Sequence, residues 1–402
     1  MLIFLRHFKP HVSISVDDAT TLCLNIQEEM AFINHNNNRR ERIMFGQRLR
    51  LARKRAGLSM QALAERVTPS VSAQAISKYE ADKMMPSSSV LVGLGKALGV
   101  SLDFLLGGQV EALESVEWRK NSTASAQDRA MAESIVIEKL EDYLAIEDIL
   151  DMHPAEDPFA ALRVDMVADE EAIDAKARDV RREWQLGIDP IPSMTALLED
   201  KGLKVIEADL PERINGLACH VERAEGAPTE VIVVSRHTNV ERKRFNLAHE
   251  LAHRIITETG NAALKKEPSM HRFAGAFLIP REHLEEEAGR NRHGMTWIEI
   301  MRLKRTYGVS AAAMLVRLGQ VGILSKSAVE YAFKTYARSW RREEPEPIGP
   351  GEGFAAFEKP QRFERLVWRA LGEEMISPVR AAQMLGLPLS VVERDIRGPR
   401  DQ

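Results

Sequence analysis

Two histidines four residues apart, with a glutamate directly after the first, stand in the run Ala248-His249-Glu250-Leu251-Ala252-His253. On a helix, residues four apart share a face, so His249 and His253 can aim two imidazoles at one Zn²⁺ ion. Glu250 lies one residue round from His249, where its carboxylate can activate the attacking water rather than bind metal, as the H-E-x-x-H pattern requires. A catalytic zinc takes three protein ligands and leaves one position open. The third is expected from Lys266-Glu267-Pro268-Ser269-Met270-His271, where Glu267 and His271 are again four apart. Glu267 is the expected ligand, and His271 is either its rival or a supporting partner. A bland alternative exists for each: two histidines on an ordinary amphipathic helix, and a carboxylate placed at a helix start by the dipole.

These side chains need rigid elements behind them. From Glu241 there is no Pro or Gly until Gly260, and Leu247, Leu251 and Ile255 repeat every four residues, an apolar seam beside the histidines. Pro268 suits the first turn of a second helix; Phe273 and Phe277 would bury its inner face and Pro280 would stop it. Upstream, Lys204–Ala208, Gly216–Val221 and Glu230–Ser235 read as three strands. The first helix would pack on this small sheet by its seam and leave its histidines at a cleft. Helices over Arg281–Ala288, Thr296–Tyr307 and 311–319 would cap that cleft.

A second informative stretch, 44–107, reads as five short helices over 45–56, 60–67, 73–80, 88–98 and 101–106. Ser59 and Ser72 sit where N-caps belong, and Gly57 and Gly99 where helices end. With Leu58-Ser59, Ala75-Ile76-Ser77-Lys78-Tyr79-Glu80 and Leu94-Gly95-Lys96-Ala97-Leu98-Gly99-Val100-Ser101, it resembles the phage-repressor (Cro/Xre-type) helix-turn-helix domain. That resemblance implies a double-stranded DNA operator, read by the N-terminal residues of the third helix in the major groove. Ala73, Gln74 and Lys78 would face base edges, where Gln pairs with adenine and Lys with guanine; Ile76 and Tyr79 would face the core. Met60 stands where many relatives place a phosphate-contacting Gln, so Gln61 is the expected substitute, and Ser72 completes the DNA-facing set. The segment holds nine Lys or Arg against four Asp or Glu, in a chain of net charge −4. A locally basic domain in an acidic protein suits phosphate attraction.

The 402 residues suit two or three domains. Hydrophobic residues at 44% and charged ones at 28% describe an ordinary globular chain rather than a fibrous or disordered one. Two distant cysteines, Cys23 and Cys219, argue for a reducing compartment and against a cysteine zinc site. No apolar run approaches a membrane span, and Met1–Leu5 is soon interrupted by Arg6 and Lys9. A cytoplasmic protein without a membrane partner is expected.

The expected organisation is an N-terminal extension over 1–43, disordered; a DNA-binding domain over 44–107; a helical linker over 108–174; the zinc domain over 175–340; and a linker with a small helical element over 341–402. Ala130–Leu150 reads as a connecting or dimer-forming helix, and Glu343–Gly353 as a flexible linker. Ser377–Pro388 faintly resembles the start of another helix-turn-helix, but a packing element is the preferred reading. The fold class is α+β, mainly helical: a five-helix repressor-like domain, a zincin-like domain with a small sheet and an H-E-x-x-H helix, then a helical C-terminal part.

Residues 175–335 resemble the ImmA/IrrE family of zinc metallopeptidases. The resemblance is carried by Trp184–Pro190, Leu197-Leu198-Glu199-Asp200-Lys201-Gly202, Arg244-Phe245-Asn246-Leu247-Ala248-His249-Glu250-Leu251-Ala252-His253 and Arg272-Phe273-Ala274-Gly275-Ala276-Phe277-Leu278-Ile279-Pro280. It implies zinc on His249 and His253, Glu250 as general base, and a downstream acidic ligand. Members often carry a repressor-like domain, and some regulate mobile elements or stress genes by cutting or inactivating a repressor. The expected function is a DNA-binding transcriptional regulator with a zinc endopeptidase domain acting on a repressor or antitoxin. The alternative is a non-proteolytic repressor or antitoxin-like regulator whose second domain senses a signal or binds a partner. A homodimer is expected, because such regulators read paired half-sites.

Overall fold

Serine caps and left-handed glycines set the boundaries of the first helices, as their side chains dictate. The computed structural model describes residues 45–106, 110–120, 124–152, 159–223, 229–259, 264–349 and 351–398. The expected N-terminal extension, 1–43, lies outside them. The chain divides into two compact units on either side of residue 107.

In the first unit a helix over 45–55 (α1) precedes α2 (Met60–Arg66), α3 (Ala73–Glu80), α4 (Ser88–Leu98) and α5 (Leu102–Leu106). Ser59 Oγ accepts from the Ala62 amide at 3.0 Å and Ser72 Oγ from the Ala75 amide at 3.1 Å, each satisfying an orphan donor of a helix start. Gly99 closes α4 at φ 64°, a conformation that costs glycine least. Phe45, Leu49, Leu63, Ile76 and Leu94 are fully buried. Arg53 on α1 forks onto Glu80 at the end of α3, Nε to Oε1 at 2.5 Å and Nη2 to Oε2 at 2.9 Å. That hydrogen bond holds the Arg53 guanidinium above its ordinary pKa and ties α3 to α1.

The second unit opens with a correction. Residues 110–120, expected to be part of a helical linker, form strand β1 (Val110–Lys120). It pairs antiparallel with β4 (Ile214–Arg223), and the ladder shifts register three times. Those irregularities erase the alternation that marks a strand, while Glu, Ala and Leu give the segment helical propensity; pairing with a distant strand overrides it. Between β4 and the edge strand β3 (Lys204–Ala208) lies β5 (Thr229–Ser235), giving the order β1-β4-β5-β3. β3 runs parallel to β5 and β4 antiparallel to it. A separate parallel pair joins β2 (Val164–Val167) to β6 (Ile256–Thr259). β2 too lies in the stretch expected to be a helical linker, 108–174.

α6 (Ala126–Ile149) starts with a Ser125/Asp128 capping box and buries Val136, Ile137, Leu140 and Leu144. It is a core helix packed against β1, β3 and β4 rather than a spacer. α7 (Glu170–Glu183) and α8 (Met194–Asp200) precede β3 in the chain. After β5 come α9 (Val240–Ile255), α10 (Lys266–Leu278), α11 (Arg281–Ala288), α12 (Trp297–Tyr307), α13 (Ala311–Gln320) and α14 (Lys326–Lys334). One apolar core draws on α7 to α14 and on the sheet face formed by Val205, Ala218, Ile232 and Val234. Finally α15 (Arg362–Gly372), α16 (Pro378–Leu385) and α17 (Leu389–Arg397) share a second core with Tyr143 and Ile146 of α6. Among the described residues no helix is long and apolar enough to cross a membrane.

Candidate metal centre

α9 places the first three site residues. Asn239 caps it, accepting from the Arg242 amide at 3.0 Å, and Leu247, Leu251 and Ile255 are fully buried, so the apolar seam points at the core. One turn apart on another side, His249 and His253 bring their Nε2 atoms to 3.0 Å. His249 and Glu250 are both buried. α10 supplies the remainder: the Glu267 carboxylate offers Oε2 to His249 Nε2 at 3.4 Å and Oε1 to His253 Nε2 at 3.5 Å. His271 lies behind, its ring centroid 4.4 Å from that of His249 and stacked on Phe245 at 5.9 Å. Its Nδ1 is 2.8 Å from the Glu267 carbonyl oxygen. A carbonyl only accepts, so Nδ1 is the donor, and in the neutral ring Nε2 is the nitrogen left with a lone pair for a metal.

On the first unit, Gln74 and Lys78 are exposed along α3 with Ser77 between them, Ala73 is half-buried, and Ile76 and Tyr79 face inward. Ser72 is exposed at the start of α3, where its hydroxyl is the cap. Gln61 is exposed on α2, its Nε2 donating to Glu65 Oε1 at 2.9 Å.

Residues 198–319 match the Peptidase_M78 family, an IrrE N-terminal-like domain, and residues 49–105 match the helix-turn-helix family HTH_3. The chain joins a helix-turn-helix domain to an M78 domain. A similar protein is the SPbeta prophage-derived uncharacterized HTH-type transcriptional regulator YonR of Bacillus subtilis (strain 168), 42% identical over 65 residues. Those residues are 16% of this chain and 58% of that protein, so the match spans little more than half of the relative's length. No solved structure matches significantly.

M78 is a metallopeptidase family and implies a metal. The donors of this M78 domain fit one. His249, Glu267 and His271 present ligand atoms within 4.8 Å of one another, and His253 Nε2 reaches both His249 and Glu267. Imidazole nitrogens with one carboxylate are a zinc donor set. The His249 and His253 imidazoles are buried while the Glu267 side chain is 64% exposed and His271 is exposed as well, so the cluster opens to solvent on the α10 side.

Sequence reasoning missed what holds α9. Glu241, Lys243 and Arg244, on its first two turns, are buried. Lys304 Nζ contacts Glu241 Oε1 at 3.0 Å, Glu344 Oε1 at 2.9 Å and the Glu346 carbonyl at 2.8 Å, while the Ile348 amide donates to Glu241 at 2.9 Å. The stretch expected to be a flexible linker is therefore bound to the root of α9 by buried charges. Lys243 Nζ reaches Glu207 at 2.8 Å and the Glu358 carbonyl at 2.7 Å. The Arg244 guanidinium donates to Glu358 and to the Ile191 carbonyl, both at 2.6 Å, and lies over the Phe354 ring. Burial lowers its pKa, and the Glu358 charge opposes that shift. The only local signal was an unusual density of charge ahead of an apolar seam.

Proposed function

We propose that this chain is a DNA-binding transcriptional regulator whose M78 domain is a zinc-dependent endopeptidase acting on a repressor or antitoxin-like protein. The observation that carries this reading is the convergence of His249 Nε2, His253 Nε2 and the Glu267 carboxylate beside a buried Glu250. His249, His253 and Glu267 would hold the ion, with His271 beside them as supporting residue. A zinc ion bound there supplies Lewis acidity toward a carbonyl oxygen and makes water a stronger acid. The Glu250 carboxylate accepts the proton of the attacking water and returns it to the leaving amine nitrogen. The shielded position of Glu250 keeps bulk water from competing for that proton. The exposed side at Glu267 leaves room for a polypeptide to enter.

In the helix-turn-helix domain, Ala73, Gln74 and Lys78 meet base edges, and Gln61 and Ser72 lie near the phosphates. Two copies would read paired half-sites. Joining both activities in one cytoplasmic chain carries the peptidase to proteins assembled at its operator.

Elemental analysis of the protein purified without added metal tests the metal centre. The expected result is one zinc per chain, lost in His249→Ala and His253→Ala and kept in Glu250→Gln, with circular dichroism confirming that each variant is folded. No zinc in the wild type even after reconstitution overturns the peptidase reading and leaves a DNA-binding regulator with a sensor domain.

A further inference from the structure

Arg272 directly follows His271 on α10, yet its guanidinium turns the other way, into α7. Nε donates to Asp174 Oδ1 at 2.8 Å and to the Glu170 carbonyl at 3.0 Å, and Nη1 pairs with the Glu170 carboxylate. The second oxygen of Asp174 accepts from Arg317 Nη1 of α13 at 2.8 Å. Arg317 Nε then reaches the carbonyl of Ile279 at 3.1 Å, the residue that caps the far end of α10. One buried carboxylate thus links two guanidiniums that grip α10 at its middle and at its end; the side chains of Asp174 and Arg317 are 2% and 3% exposed.

Such a triad is a poor source of stability, since apolar side chains of similar volume often serve as well or better. What it supplies is direction, because a guanidinium is a rigid planar fork. α10 receives a further contact of this kind from Arg181 of α7, Nη1 to the Phe277 carbonyl at 2.7 Å near its C-terminal end, but its N-terminal half depends on Arg272. Its start has no side-chain cap, and Lys266, Glu267 and Pro268 are exposed. Its inner face rests on Phe273 and Phe277, and apolar contact is non-directional. Turning a helix by roughly 20° sweeps a side-chain tip at a radius of about 5–6 Å through about 2 Å. Metal–ligand distances tolerate only about 0.2 Å.

We propose that Asp174 is a positioning residue of the metal centre. By bridging Arg272 and Arg317 it sets the rotation and axial position of α10, and so places Glu267 and His271 against His249 and His253. This rests on the metal-centre reading above, and the experiment separates the two.

The test uses the full chain as wild type, as Asp174→Asn, and as the triple variant Asp174→Leu/Arg272→Met/Arg317→Met, which removes the triad without stranding a buried charge. Zinc affinity is measured by competition with a chelating dye, and amide exchange across 269–273 is followed in the metal-free protein. Both variants are expected to melt cooperatively, to exchange about tenfold faster across 269–273, and to bind zinc about 10- to 100-fold more weakly. A purely structural role would lower the melting temperature and leave the zinc affinity of the folded protein unchanged. Wild-type affinity with unchanged exchange in folded variants overturns the proposal. If the wild type itself binds no zinc, the metal-centre reading fails, and unchanged exchange in the variants would sink the positioning of α10 separately.

Discussion

Arg244 and Glu358 meet at 2.6 Å in the interior, joining the root of the histidine helix to a residue 114 positions further along the chain. The same carboxylate accepts from the Met194 and Thr195 amides at 3.1 and 2.5 Å, capping α8. At the other end of α8, Glu199 accepts from the Arg362 amide at 3.2 Å. The C-terminal segment is therefore built into the M78 domain at both ends of α8 and at the start of α9.

Removing Glu358 leaves the Arg244 guanidinium buried without its counter-charge and strips the start of α8. Breaking a buried pair of this kind costs about 3–5 kcal/mol, so Glu358→Ala should lose that much in urea unfolding. Glu358→Gln, which still accepts hydrogen bonds, should lose less. Equal stability of Glu358→Ala and wild type would contradict the role assigned to the segment.

Glu250→Gln keeps the shape of the side chain and removes its basicity. General base catalysis contributes about 10²- to 10⁴-fold, and peptide-bond cleavage should fall by at least that range while bound zinc stays at the wild-type level. Zinc loss in this variant would instead make Glu250 part of the metal-binding set.

On the DNA side, Gln74 and Lys78 project from the exposed face of α3. A base-reading contact is worth about 1–3 kcal/mol, so Gln74→Ala should weaken operator binding by that amount and relax preference at one base pair. Fluorescence anisotropy on operator and scrambled duplexes separates this from a uniform loss. Lys78→Ala that only flattens the salt dependence would reassign Lys78 to a phosphate.

Stability should also depend on pH through Asp142. Burial pushes its carboxyl up to about 6 although Arg380 lies 3.4 Å away, against about 3.9 in an unfolded chain. Between about pH 4 and 6 the folded state holds the proton more often than the unfolded state. Stability is then greatest below that window and falls as pH rises through it. The full shift would correspond to about 3 kcal/mol, and the partial exposure of the side chain reduces this to about 1–2 kcal/mol. Asp142→Asn should be more stable than wild type by that amount at pH 7 and level with it near pH 4, in urea melts of the metal-free protein. A constant difference across that range would refute the assignment.

The sequence by itself determined the local devices. Four-residue spacing puts His249 and His253 on one side of a helix because 3.6 residues make a turn, and Ser59 and Ser72 start helices because their hydroxyls reach amides three residues on. Both effects act within a few residues, so they are written in consecutive letters. The tertiary structure decided everything that depends on partners brought from afar. It placed Glu267 against both histidines, recruited residues 110–120 into the sheet despite helical propensity, and buried Glu241, Lys243 and Arg244 as anchors. Burying a charged side chain is costly unless an opposite charge or a set of hydrogen-bond partners arrives to meet it. For α9 those charges come from Lys304, Glu207 and Glu358, on elements whose approach no local period encodes.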